Sequence, residues 1–319
     1  MKRLFFKCLF AAALAAAFSA QALAAQLLIP VGEVVGLSLR DGSVTVAAFH
    51  ELHGSAARDA GIAIGDEIVS LDGRRVDTAA DLFDALKCSG GTVTVTLRRD
   101  GKERQVRLCP AVTKDGPRLG VYVREGVTGI GTVTFFDPDS GAFGCLGHGI
   151  SDSRGTLAPM DSGWVYDAAV ESVKRGVVGE PGQLKGAVSS EVPIGTLRSN
   201  TARGVFGRAA PWKGEALPIA APEQVHPGAA RILSNVSGDE VCFFDVQILR
   251  CRPGTDGRDL LLKVTDPELL AATGGIVAGM SGSPIIQDGR LVGAVTHVLV
   301  NDPTRGYGIF IENMLDAAG

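Results

Sequence analysis

Beyond Pro110 the chain never holds a helical period for long. Short apolar runs alternate with Gly, Pro, Asp and Asn, and this punctuation confines the region to a strand-rich fold. Runs at 119–123, 131–136, 183–188, 204–207, 230–233, 242–249 and 290–300 read as strands, with a spacing that suits a sandwich or a barrel. Only 267–272 and 313–318 read as helices. At 319 residues the chain has room for two or three domains, and its 42 glycines and 15 prolines fit a globular β-rich protein.

The first residues differ in kind. Lys2 and Arg3 precede an apolar run from Cys8 to Phe18, and Ala22-Leu23-Ala24 supplies an A-x-A cleavage site. Segment 1–24 is therefore expected to be a signal peptide or, if uncleaved, an N-terminal anchor that associates the protein with a membrane. No later segment approaches spanning length, so the protein is expected to work outside the cytoplasm of the cell that makes it. The 31 basic residues are scattered and the net charge is −4, which argues against nucleic-acid partners. Past the signal, Cys88, Cys109, Cys145, Cys242 and Cys251 remain. Export permits disulfides, and Cys88–Cys109 or Cys242–Cys251 are conceivable pairs, but connectivity is open. No C-x-x-C or His-rich spacing points to a metal.

Segment 34–109 is self-contained. A turn at Asp41-Gly42 precedes an alternating strand, and Ala57 to Leu71 carries Ala60-Gly61-Ile62 and Gly65-Asp66-Glu67-Ile68. Thr78 to Asp81 has capping-box spacing ahead of a helix bearing Leu82, Phe83 and Leu86, and a hairpin turns at Asp100-Gly101. These residues resemble a PDZ domain of the bacterial, protease-associated kind. The resemblance implies peptide binding by strand addition, with Val35, Gly36, Leu37, Ser38 and Leu39 as the loop that receives the peptide. A short linker bounded by Pro110 and Pro117 follows, and 117–319 forms the second domain.

In that second domain, Gly279-Met280-Ser281-Gly282-Ser283-Pro284 crowds small residues around one serine. A serine that attacks a peptide carbonyl needs a tight turn with backbone N–H groups aimed at the developing oxyanion, and glycines permit both. The spacing resembles the nucleophile turn of chymotrypsin-like proteases, which places the oxyanion hole at the amides of Gly279 and Ser281. An ordinary Gly/Ser/Pro turn between strands is the bland alternative.

A serine nucleophile needs a base, and histidine is the usual one. His50, His53 and His226 read as surface residues. His148, between glycines in Gly147-His148-Gly149, would project from a turn, whereas His297 sits in an apolar strand, so His148 is favoured. Cys145 reads as a buried thiol rather than a nucleophile. For the acid, Asp266 competes with Asp245, Asp259, Asp288 and Asp302. Asp266 also has the signature of a helix N-cap, being followed by a proline.

Gly147 to Asp152, Gly275 to Pro284, and Gly293 through Asn301-Asp302-Pro303-Thr304 to Gly308 resemble the SpoIVB sporulation serine peptidases. The likeness covers nearly the whole chain. It implies a mainly β protein, a PDZ-like α+β module followed by a chymotrypsin-like serine peptidase domain of the double β-barrel type, which needs no cofactor. It implies catalysis by His148, Asp266 and Ser281. It further implies action between mother cell and forespore, on the protein's own N-terminal segment and on a membrane-embedded regulator, leading to late sigma-factor activation. Met280 stands where many chymotrypsin-like enzymes carry an aspartate, so control must come by another route, for which the PDZ-like module is the candidate. The rival reading is a non-catalytic PDZ adaptor with a degenerate protease-like domain.

Overall fold

A computed structural model describes residues 26–152, 155–254 and 257–319; the 1–24 signal lies outside the described residues. The chain opens with β1 (Leu27–Pro30) and the long β2 (Val34–Phe49). A module follows, made of α1 (Ser55–Asp59), β3 (Glu67–Leu71), β4 (Arg74–Arg75), α2 (Ala79–Cys88), β5 (Val93–Arg99) and β6 (Lys102–Leu108). The expected linker folds as a small hairpin of β7 (Ala111–Thr113) and β8 (Gly116–Arg118). The chain returns along β9 (Val121–Phe136), then continues through β10 (Ala142–Cys145), β11 (Ser162–Lys174), β12 (Gln183–Val188), β13 (Gly195–Thr201) and β14 (Gly204–Ala209). After β15 (Leu217–Pro218) come β16 (Gly228–Ser237), β17 (Glu240–Cys251), β18 (Leu260–Val264), α3 (Pro267–Thr273), β19 (Pro284–Gln287), β20 (Arg290–Leu299), β21 (Asp302–Phe310) and α4 (Ile311–Ala318).

The fold is mainly β, as the turn-rich sequence implies. Strands β16-β17-β18-β21-β20-β19 close a six-stranded barrel. The pairings β9–β10, β10–β14, β14–β13, β13–β11, β11–β2 and β2–β9 also return to their starting strand, which makes a second six-stranded ring earlier in the chain. Each ring closes over its own apolar core. Val35, Leu37, Val133, Phe143, Val165 and Val205 fill the first, and Ile232, Ile248, Leu260, Leu262, Ile285 and Val295 fill the second. A further cluster joins the two: Leu28, Phe135 and Phe206 of the first meet Leu291, Ile309 and Met314 of the second. Burying a side chain of this size contributes roughly 1.5–3 kcal/mol, so this shared cluster holds the two barrels together.

Residues 34–40 were expected to belong to the PDZ-like module, but they are a wall of the first barrel. They pair with β11 on one side, Asp167↔Val35 to Ser162↔Arg40, and with β9 on the other, Val34↔Thr132 to Leu39↔Val127. Strand β1 and the first part of β2 thus pair within the barrel of the downstream segment, and the rest of the module is inserted between two neighbouring strands of that barrel. The turn expected at Asp41-Gly42 is instead a bulge within β2. Gly42 takes φ +67°, Asp41 Oδ1 accepts from the Ser43 amide at 3.0 Å and from the Ser43 hydroxyl, and the strand resumes at Val44↔Glu125. Both halves of β2 can form one ribbon because both pair with the same partner.

The module has its own core, with Val44, Ile68, Leu71, Leu82, Leu86 and Leu97 among its members. The Thr78–Asp81 capping box is present. Asp66, fully buried, accepts from Arg99 through both oxygens (2.5 and 2.7 Å) and from the Ala63 amide. Burial pushes its carboxyl up, but the Arg99 and Ala63 hydrogen bonds outweigh that and hold it below the ordinary carboxylate range. The five described cysteines are all free. Cys242 and Cys251 lie nine residues apart on β17, which at about 3.4 Å per residue puts them far beyond disulfide reach.

Candidate active site

Ser281 sits on the turn between α3 and β19, at the mouth of the second barrel, and is half-buried. Three consecutive peptide groups before and at the serine point their carbonyls into the protein. Ala278 O accepts from the Leu184 amide (2.8 Å), Gly279 O from the Thr132 hydroxyl (2.7 Å) and Met280 O from the Ser283 amide (2.9 Å). Among the described residues, neither the Gly279 amide nor the Ser281 amide has an acceptor. Two unengaged N–H groups flanking a serine are what an oxyanion hole requires. Gly279 and Gly282 take φ +100° and +101°. A Cβ at Gly282 would collide with the Thr132 carbonyl, so glycine is required there.

His148 is delivered from the first barrel, on the turn after β10. Leu146 takes φ +70° and Gly147 +67°, which reverses the chain and turns the ring outward. The two turns touch. The Leu146 amide lies 2.6 Å from where a Cβ on Gly282 would stand, and a Cβ on Gly147 would stand 2.8 Å from Cγ2 of Thr296. The Ser281 hydroxyl donates to the carbonyl of that same Thr296 (2.8 Å). The structure thus packs the turns that carry residues 148 and 281 against each other, with the Ser281 hydroxyl on a carbonyl; a bond from serine to imidazole is often unformed in the absence of substrate. His148 Nδ1 lies 2.9 Å from the Gly149 carbonyl. A carbonyl only accepts, so this contact calls for the tautomer with its hydrogen on Nδ1 and leaves Nε2 to face another partner. The ring of His297 lies beside it, centroids 5.4 Å apart.

Asp266 is engaged elsewhere. As N-cap of α3, its Oδ1 accepts from the Glu268 and Leu269 amides, both 2.9 Å, and its Oδ2 from the Asp245 amide at 3.2 Å. The capping signature is realised. Among the described residues no carboxylate is hydrogen-bonded to His148, and the tautomer-fixing contact expected of Asp266 comes instead from the Gly149 main chain. Of the other candidates, Asp245 is exposed on β17 and three are occupied. Asp259 is buried, holding the Gly254 and Phe310 amides and the Asn313 side chain; Asp288 pairs with His226, and Asp302 with Thr304 and Arg305. Asp266→Ala is therefore expected to cost about 1–2 kcal/mol of stability through the lost cap, read by denaturant unfolding. Its kcat should fall by less than about tenfold, where loss of a triad acid costs about 10⁴. Burial pushes the Cys145 thiol well up, which removes it as a thiolate nucleophile.

A cleft of about 650 Å³ lies beyond Leu184, the residue that separates it from the serine turn. Gln183 to Gly186 form one wall, with Leu184 packed on Gly279, and Leu37 with Thr128 to Ile130 form the other. Leu37 and Thr128 to Ile130 also border a smaller cavity of about 380 Å³ that contains His148.

The sheet edge of the module that is open to an added strand lies elsewhere than expected. Val35 to Leu39 have strand partners on both edges and cannot accept another strand. The open edge is the start of β9. Val121 to Glu125 pair with β2 on one side only, and the other side faces α2 across a groove of about 560 Å³ lined by Leu82, Phe83, Leu86 and Leu119 to Val123. Among the described residues, the Leu119 and Gly120 amides have no acceptor. Gly120 takes φ +81°, and a Cβ there would strike the His53 carbonyl. Leu119-Gly120-Val121 repeats the apolar-Gly-apolar pattern of Val35-Gly36-Leu37 and was the available signal. His50 and His53 stack on each other at the mouth of this groove and so are not mere surface residues.

Two β-barrels whose serine turn and histidine turn pack against each other, with a PDZ-like module inserted in the first, define a PDZ-bearing serine peptidase. Residues 115–315 match the SpoIVB peptidase S55 family and residues 35–109 match the PDZ domain family. The chain belongs to the SpoIVB peptidase S55 family. Among curated proteins, a putative zinc metalloprotease of Brucella suis is 29% identical over 150 residues, 47% of this chain and 38% of that one. One of Mesorhizobium japonicum is 38% identical over 77 residues, 24% of this chain and 21% of that one. The matched stretches span less than half of these relatives. Among solved structures, the active form of the Rv3671c protease of M. tuberculosis aligns at 14% identity over 60% of this chain and 75% of that one (TM-score 0.39). The PDZ domain of an SdrC-like protein from Listeria monocytogenes aligns at 24% identity over 27% and 90% (TM-score 0.23).

Proposed function

We propose that this peptidase uses Ser281 as nucleophile and His148 as base, with the Gly279 and Ser281 amides as the oxyanion hole. The observation that carries this is the contact between the two turns beside a pair of unengaged amides. On substrate binding the Ser281 hydroxyl leaves the Thr296 carbonyl, passes its proton to His148 Nε2 and attacks the peptide carbonyl. Charge on that oxygen falls on the two amides. His148 then gives the proton to the departing amine; water, deprotonated in turn by His148, attacks the acyl carbonyl, and His148 returns that proton to the Ser281 oxygen as the acid product leaves.

Family membership supports a role in sporulation signalling. The protein, exported by its 1–24 segment, acts between mother cell and forespore, cleaves its own N-terminal segment and then a membrane-embedded regulator, and so leads to late sigma-factor activation. The groove between α2 and β9 takes a peptide strand from such a partner by strand addition. Mass spectrometry of wild-type and Ser281→Ala protein from a sporulating host tests this. N-terminal fragments and cleaved regulator are expected with wild type only; fragments in both would assign the processing to another protease. A non-catalytic adaptor would also leave Ser281 unlabelled by a fluorophosphonate.

A further inference from the structure

One residue of the first barrel holds both catalytic turns. Thr132, on β9 and fully buried, donates its hydroxyl to the Gly279 carbonyl (2.7 Å) and its amide to the Ser281 carbonyl (3.2 Å). Its own carbonyl accepts from the Leu146 amide (3.1 Å), two residues before His148. Two positions along the same face of the strand, the buried Thr134 hydroxyl donates to the Gly282 carbonyl (2.8 Å). Two threonine hydroxyls of one barrel thus grip the carbonyls on either side of the serine in the other.

The three peptide groups whose carbonyls turn away from the cleft are not held alike. Ala278 O and Met280 O are held by main-chain amides, whereas Gly279 O between them is held by a side chain. Gly279 has no Cβ to restrict its ψ. The N–H of the same peptide group, that of Met280, donates to the Val277 carbonyl (3.1 Å), so without the Thr132 hydroxyl the Gly279–Met280 peptide keeps one of its two anchors, gains freedom to tilt, and the amides on either side of it lose part of their common aim. We propose that Thr132 is a positioning residue, whose hydroxyl keeps the Gly279 and Ser281 amides convergent and whose main chain sets the spacing between the serine and histidine turns. This rests on the serine reading above.

The test compares wild type, Thr132→Val, which keeps shape and loses the hydroxyl, and Thr132→Ser, which keeps the hydroxyl. The readouts are kcat and KM on a peptide and the rate at which a fluorophosphonate labels Ser281. Thr132→Val is expected to lower kcat and the labelling rate about 10- to 100-fold, with KM within about twofold. Thr132→Ser should recover most of the lost rate. The proposal is overturned if Thr132→Val labels and turns over like wild type, or if Thr132→Ser falls as far as Thr132→Val. Should Thr132→Val fail to fold, Thr132→Ala, assayed at a temperature where its circular dichroism is native, makes the same decision. No labelling of wild-type Ser281 would sink the serine reading and this proposal together; labelled wild type with an unaffected valine variant sinks the proposal alone.

Discussion

Replacing Ser281 by alanine is expected to lower peptide hydrolysis by about 10⁴-fold or more while leaving the thermal midpoint within a few degrees of wild type. The Ser281 side chain makes one hydrogen bond, to the Thr296 carbonyl, and is not part of a core cluster, so little stability depends on it. His148→Ala should lose a comparable factor, and the double variant little more than either alone, because the two groups share one proton transfer. Steady-state kinetics on a single peptide reads all three. Losses that simply multiply in the double variant would mean that the two residues do not act as a unit.

A larger effect on the whole molecule is expected one residue further on. Gly282→Ala places a methyl group against the Thr132 carbonyl at a φ that L residues rarely adopt. The neighbours cannot yield cheaply. The Gly282 amide donates to the Val295 carbonyl at 2.7 Å and its carbonyl accepts from Thr134, so both strands would have to shift. We expect a loss of about 3–5 kcal/mol in denaturant unfolding, together with loss of fluorophosphonate labelling. A wild-type unfolding midpoint would show that the turn relaxes freely.

What was legible in the sequence follows the range of the forces involved. Thr78 with Asp81, Asp266 before Pro267, and Asp288-Gly289 between β19 and β20 act over a few residues, and all are found as local chemistry implies. Gly279 to Pro284 and Gly147 to Gly149 were readable as turns for the same reason. What failed needed distant partners. Val35-Gly36-Leu37 and Leu119-Gly120-Val121 are locally equivalent, and only the pairing of the first with both β9 and β11 shows that the second has the free edge. Asp266 could cap or orient, and the choice depends on the Asp245 amide, 21 residues away. Thr132 gave no signal, since its partner lies 147 residues downstream. Closure of the first barrel was equally hidden, because its two key strands are separated in sequence by the entire module.

That separation has a practical corollary. In topological terms the PDZ module is an oversized hairpin loop: the polypeptide leaves along β2 and comes home along β9, side by side with its outgoing path. Excising residues 34–109 would tear a stave from the barrel and report on folding alone. Joining the chain just beyond the Leu39↔Val127 pair with a tight two-residue turn would instead leave the catalytic scaffold whole, so that recognition and hydrolysis become separately engineerable parts.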